Sequence, residues 1–272
     1  FFLFLIKKFD QKKNKKKSFF YGWLFGFGYF STNLYWISIS LTFDKNFQFL
    51  IPFTMILIPS FLAIFYGLLT YVFSIINSKK IISSFLIFSL IFSIVEFIRG
   101  SVLTGFPWNL IAFTFSNQLE ILSITSILGT YGFNLFCITL FTSPAILILK
   151  NRKREILFFL LILSITTFFY IFGSISVENF KKEKNIDSDY KIRVISSNIS
   201  LKRYYSNLDP SLIIEELIEI SEPKENEKTI FIWPEGIIPT HQDNLDKYKN
   251  LFSEKFNENH IIVLGINRIK NE

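Results

Sequence analysis

Five long, nearly uncharged apolar runs dictate what this chain can become: residues 19–43, 47–77, 81–98, 121–149 and 156–177. A helix needs about 20 apolar residues to cross a bilayer, and backbone groups in hydrocarbon must be satisfied within the segment. These runs therefore predict a bundle of transmembrane helices over residues 1–177, with residues 1–6 as the tail of another span. Tyr21, Trp23, Tyr35 and Trp36 suit the two interfacial belts of the first full span. Half of the 272 residues are hydrophobic and 35 are phenylalanine, too apolar for an ordinary soluble domain. Because the chain starts at Phe1 inside an apolar run and stops in a lysine-rich stretch, it reads as a fragment cut at both ends.

The net charge of +7 raises the question of nucleic acid, and its distribution answers it. Residues 1–177 carry 15 Lys/Arg against 5 Asp/Glu, whereas residues 178–272 carry 14 against 17. The excess sits between apolar spans, in clusters at 7–17, 79–80 and 150–154. That is the positive-inside pattern rather than a phosphate-binding face. Alternating the spans from these anchors puts the links 44–46 and 100–118, and residues 178–272, on the extracytoplasmic side.

Residues 178–272 change character. Tyr190–Ser196, Thr229–Trp233 and His260–Ile266 read as strands, with helices over Pro210–Ile220 and Asp243–Asn257 between them. Strand–helix alternation predicts a parallel or mixed sheet with crossover helices. About 95 residues with three strands make a poor core alone, so the domain is expected to be incomplete at Glu272 and not to fold by itself.

Within it, Thr229-Ile230-Phe231-Ile232-Trp233-Pro234-Glu235-Gly236 is the most informative stretch. Pro234 has no N–H for a ladder and holds Trp233 extended, so the strand must end there. Glu235 is then presented at the carboxyl end of a strand, where open α/β sheets gather their chemistry. A carboxylate in a desolvated pocket there has a raised pKa and can serve as a general base. It can equally cap the turn, and the residues alone leave both open. Cys137 lies mid-span, where a thiolate is unfavourable, and reads as a packing residue. His241 and His260 lack partners at metal-ligand spacing, and no metal site is expected. Glu96 and Arg99, three apart near a helix end, form an interfacial ion pair or help shape a lipid portal. Pro107-Trp108 is either a loop anchored at the interface or part of a substrate entrance.

Three stretches carry a resemblance to a known family. They are Glu96-Phe97-Ile98-Arg99-Gly100-Ser101-Val102-Leu103-Thr104-Gly105-Phe106-Pro107-Trp108, the glycine- and aromatic-rich residues 22–40, and Ile230-Phe231-Ile232-Trp233-Pro234-Glu235-Gly236-Ile237-Ile238-Pro239. In their order along the chain and between these spans they resemble apolipoprotein N-acyltransferases, over nearly the whole chain. The resemblance implies an αββα nitrilase-like domain, here truncated, on the periplasmic side of the bacterial inner membrane. It implies a ping-pong reaction: a cysteine thiol takes an acyl chain from a phospholipid as a thioester. The α-amino group of a lipoprotein's N-terminal diacylglyceryl-cysteine then attacks that thioester. Of the family's Glu–Lys–Cys triad only the base matches, at Glu235. The lysine and cysteine are expected beyond Glu272, so residues 1–272 alone should be inactive. No cofactor is implied, and a monomer is expected. Asn198 and Tyr205 fall near the family's first nitrilase strand, but Ser196-Ser197-Asn198-Ile199-Ser200 departs from its Gln-Gly-Asn-Ile-Pro pattern. Tyr205 and Trp108 are the candidates for substrate contact.

Two other readings share some of these features. A membrane-anchored nitrilase-type amidase would show the same strand and Glu235, but leaves 96–108 and so many spans unexplained. A transporter or non-catalytic scaffold would require ionisable residues within the spans. Apart from Glu96 and the boundary Glu120, the spans have none.

Overall fold

The computed structural model describes residues 1–2, 4–5, 15–76, 78–102, 105–149, 152–183, 188–197, 209–240 and 242–266. The chain divides into two compact units, Phe1–Lys184 and Asn185–Glu272.

The first unit is helical. Its helices are α1 (Lys15–Leu34), α2 (Ile51–Ile76), α3 (Ile81–Ser101), α4 (Leu119–Leu122), α5 (Thr125–Thr142), α6 (Pro144–Leu149) and α7 (Lys153–Lys182). Among the described residues, four helical stretches are long and apolar enough to cross a membrane: Lys45–Ile76, Ile81–Ser101, Thr125–Leu149 and Lys153–Lys182. Lipid gives no hydrophobic push between helices, so close contact has to come from small residues and interhelical hydrogen bonds. α1 and α2 meet in that way. A Cβ on Gly22 would lie 2.1 Å from the Tyr66 carbonyl oxygen, and one on Gly26 3.0 Å from the Ala63 Cα. Thr70 Oγ1 donates to the Ser18 carbonyl at 2.7 Å, and Trp23 Nε1 to the Ser60 carbonyl at 3.0 Å. These pairings make the two helices antiparallel. Phe73–Phe88 and Tyr66–Phe92 ring contacts do the same for α2 and α3. The core between them is largely aromatic, with Phe2, Phe30, Tyr66, Phe73, Phe85, Phe88 and Phe92 buried together.

Two expected spans are interrupted. The run 19–43 is α-helical only to Leu34 and continues as 3₁₀-helix from Tyr35 to Thr42. Ser38, Ser40 and Thr42 each donate a hydroxyl to the carbonyl three residues back, at 2.6–2.7 Å. Such back-bonding competes with the α-helical ladder, and the tighter helix results. This run is not among the four span-length helices. The run 121–149 contains a non-helical Gly129 (φ 67°, ψ 169°) and a second break before Pro144. Pro144 has no N–H to continue the ladder. In the other runs the α-helices are Ile51–Ile76, preceded by a 3₁₀ segment at Lys45–Leu50, then Ile81–Ser101 and Lys153–Lys182.

The second unit contains β1 (Lys191–Val194), α8 (Pro210–Ser221), β2 (Thr229–Ile232), α9 (Lys249–Lys255) and β3 (His260–Val263). The strands form a parallel sheet in the order β1-β2-β3, with Phe231 level with Arg193 and Ile262. α8 starts where it should: Asp209 accepts from the Ser211 N–H at 3.0 Å, and Pro210 follows it. Ile213, Ile214, Leu217 and Ile218 of α8 are buried with Phe231 and Trp233 against Phe252 and Phe256. The predicted helix 243–257 is split into a 3₁₀ segment, Gln242–Tyr248, and the short α9.

Candidate functional site

Glu235 sits where the strand chemistry predicts. β2 is the middle strand, and its last ladder contact is the Trp233 N–H donating to the Val263 carbonyl at 2.9 Å. Pro234 then breaks the ladder. Gly236 adopts φ +64°, a backbone state that L side chains rarely take, and its N–H donates to the Gly265 carbonyl at 3.0 Å. The two glycines thus fix Glu235 between them. A Cβ on Gly265 would lie 2.8 Å from Glu235 Cγ, so a glycine is needed beside the acid as well as after it. Below the turn, Trp233 is buried and donates from Nε1 to Ser221 Oγ at 3.0 Å, with Phe252 5.7 Å away. The carboxylate therefore stands on a rigid support. Among the described residues nothing closes over it, and it is solvent-exposed. The desolvated pocket expected around this acid is not formed by them.

The first unit holds a second cluster. Glu96 and Arg99, read from the sequence as an interfacial ion pair or as part of a lipid portal, are paired, Arg99 Nη2 donating to Glu96 Oε2 at 2.6 Å, and both are fully buried. Arg99 Nη1 donates to the carbonyls of Phe106 (2.7 Å) and Trp108 (2.9 Å). The Phe106 N–H returns a bond to the Arg99 carbonyl at 3.0 Å, and Tyr29 OH donates to the Asn109 carbonyl at 2.8 Å. The guanidinium also lies 5.3 Å from the Phe30 ring centroid. A planar, always-charged guanidinium with several N–H donors suits this task of holding a carboxylate oxygen and two carbonyls at once. The loop it holds presents Trp108, half exposed and stacked on Trp36 at 5.1 Å and 13°. Beside it, a groove of about 570 Å³ runs along Leu57, Phe61 and Phe65 to Arg99 and Phe106.

Glu235 and Trp108 belong to different units. Cys137 is buried in α5, in a cluster with Phe133 and Phe169. His260 accompanies Phe231 and Phe256 at the start of β3, its rings 5.6 and 5.7 Å from theirs. Asn198, Tyr205 and His241 lie outside the described residues, as does Thr104. No group of three or more His, Cys, Asp or Glu that could hold a metal occurs among the described residues. Sequence reasoning missed Tyr29, whose hydroxyl reaches a loop 80 residues on, and Gly265, whose only signal was its place at the end of a predicted strand.

The profile of the family described as "Apolipoprotein N-acyltransferase N-terminal domain" matches residues 1–143, just over half of the chain. Similar proteins extend past it. An apolipoprotein N-acyltransferase of Brucella melitensis is 24% identical over 249 residues, 90% of this chain and 46% of the relative. One of Rhodopseudomonas palustris is 27% identical over 231 residues, 80% of this chain and 42% of the relative. One of Rickettsia prowazekii is 27% identical over 252 residues, covering 90% and 48% respectively. The chain spans less than half the length of each.

Proposed function

Because the chain belongs to the apolipoprotein N-acyltransferase family, we propose that the whole protein moves an acyl chain from a phospholipid to the N-terminal amine of a lipoprotein. In this reading Glu235 is the general base of an αββα nitrilase-like domain. It takes the proton of a cysteine thiol expected C-terminal to Glu272; the thiolate attacks the phospholipid ester carbonyl. A lysine, also expected beyond Glu272, stabilises the oxyanion. Collapse of the tetrahedral intermediate forms the thioester and expels the lysophospholipid alkoxide, which takes the proton back from Glu235. The α-amino group of a diacylglyceryl-cysteine then attacks the thioester, giving the amide and returning the thiol with the amine's proton. The observation that carries the assignment is Glu235 itself: an acid at the carboxyl edge of a central parallel strand, held between Gly236 and Gly265. Activating a thiol near neutral pH needs a positioned base, and this turn supplies one.

The ends of the helices that carry basic residues support an orientation. The antiparallel pairings put Lys15–Lys17 at the same end as Lys79 and Lys80. Ile82 and Arg154 line one groove, so the start of α7 shares that end. Basic residues at one end favour the cytoplasmic side. The Trp36–Trp108 end of the unit then faces the periplasm of a bacterial inner membrane, and so do the residues that follow α7.

The test is complementation of a strain depleted of lipoprotein N-acylation, using the full-length gene and its Glu235→Gln variant. Mass spectrometry of lipoprotein N-termini should show triacylation restored by the first and not by the second. Equal restoration by both would remove Glu235 from the chemistry.

A further inference from the structure

The basic end of the helical unit carries a groove that the proposed acyl transfer does not use. It runs for about 690 Å³ along one face of α7, lined by Leu157, Phe158, Leu160, Leu161 and Ser164, with Ile82 of α3 beside it and Arg154 at its mouth. From Arg154 to Ser164 the helix rises about 15 Å, which is the depth of one leaflet in a hydrocarbon core of about 30 Å. Its wall is rigid: Phe85 meets Phe158 edge-on at 5.8 Å, joining α3 to α7 behind the groove. Between Arg154 and Ser164 its lining is aliphatic and aromatic, so what lies there must be apolar along that length.

The mouth has the opposite character. Arg154 is 65% exposed, and its guanidinium donates from Nη2 to Glu155 Oε1 at 3.0 Å. Glu155 is buried and steadies the arginine, and among the described residues that bond uses one of the five N–H groups of the fork. Lys79, Lys80, Arg152 and Lys153 flank the same end. An apolar slot one leaflet deep, capped by a guanidinium among other cations, is complementary to one kind of molecule.

We propose that this groove binds an anionic phospholipid of the leaflet on the basic side, one acyl chain lying along α7 and the phosphate accepting from Arg154. The site is separate from the Trp108 end, where α3 finishes, and its lipid is a bound partner rather than the acyl donor. A cationic side chain near an anionic membrane surface favours binding by a factor of about five. The experiment is native mass spectrometry of the full-length protein with equal phosphatidylglycerol and phosphatidylethanolamine. The wild type should retain phosphatidylglycerol preferentially. Arg154→Gln should reduce that preference about five-fold, while Lys153→Gln, which removes a charge not lining the groove, should change it less than about two-fold. Leu161→Trp keeps every ion pair and fills the slot, so it should lower retention of both lipids. Equal losses from Arg154→Gln and Lys153→Gln would reduce the site to a diffuse basic collar. Undiminished binding in Leu161→Trp would show that no chain occupies the groove.

Discussion

Both units expose apolar side chains, and the way they do so separates them. In the helical unit exposed Leu, Ile and Phe occur along α2, α3 and α7 alike. That is a surface solvated by hydrocarbon, with packing left to small residues such as Gly22 and Gly26. In the sheet unit, apart from Leu212 and Ile220 on α8, the exposed large apolar residues lie on one face of the sheet. Ile192 and Val194 of β1, Ile232 of β2, and Ile261 and Val263 of β3 are exposed, while Phe231 and Trp233 are buried against α8. The pairing places Ile192 level with Ile230 and Ile261, and Val194 with Ile232 and Val263, so the apolar rows are continuous across the sheet. A parallel sheet is stable only with both faces covered. The first unit needs a membrane to be complete; the second needs another layer, which the proposed αββα arrangement supplies.

The largest effect should come from separating the two. Residues 185–272 expressed alone should show no cooperative thermal transition by circular dichroism and should be degraded rapidly by protease. A resistant, cooperatively melting product would break the comparison, because the bare sheet face would then need no cover.

Within the helical unit, Arg99→Ala should destabilise the protein by about 3–5 kcal/mol, since it leaves the Glu96 carboxylate buried without its partner. The double change Glu96→Gln with Arg99→Met should cost clearly less, as no charge is stranded. Thermal melts in detergent compare the two, and tryptophan fluorescence reports whether the Trp108 loop is released. In the sheet unit, Trp233→Phe replaces the buried indole by a smaller phenyl ring and loses the bond to Ser221 Oγ. Its expected cost is about 2 kcal/mol, measured on the full-length protein.

The smallest effect is at the surface of the sheet. Glu227 is held below the ordinary carboxylate range, first by its hydrogen bond from Lys191. A depressed folded pKa means stability present above the unfolded value and lost as pH falls through the folded one. Lys191→Ala should therefore move the Glu227 titration upward by NMR while leaving the melting temperature at pH 7 nearly unchanged, because the lysine is solvent-exposed and the pair is screened.

These contrasts also explain what the amino-acid order reveals. Apolar length alone predicted α2, α3 and α7, because a membrane tolerates few alternatives to a helix. Val-, Ile- and Phe-rich runs bounded by Pro and polar residues located the three strands, and Pro234 located the turn bearing Glu235. What stayed hidden depended on bonds between distant or competing groups. The 3₁₀ segment at Tyr35–Thr42 arises from hydroxyl-to-carbonyl bonds that periodicity ignores. The burial of Glu96 and Arg99 depends on a loop folding back onto them, and the spacing of three between them fits an exposed pair equally well. Gly129 looks like any glycine in an apolar run, yet its positive φ divides a predicted span.

The most direct test of the account is the intact mass of the full-length protein after incubation with phospholipid and no acceptor. The wild type should gain one acyl group, released by hydroxylamine and mapped to a cysteine C-terminal to Glu272, whereas Glu235→Gln should gain none. An acyl adduct on Cys137, or one formed equally well by the Glu235→Gln variant, would contradict it.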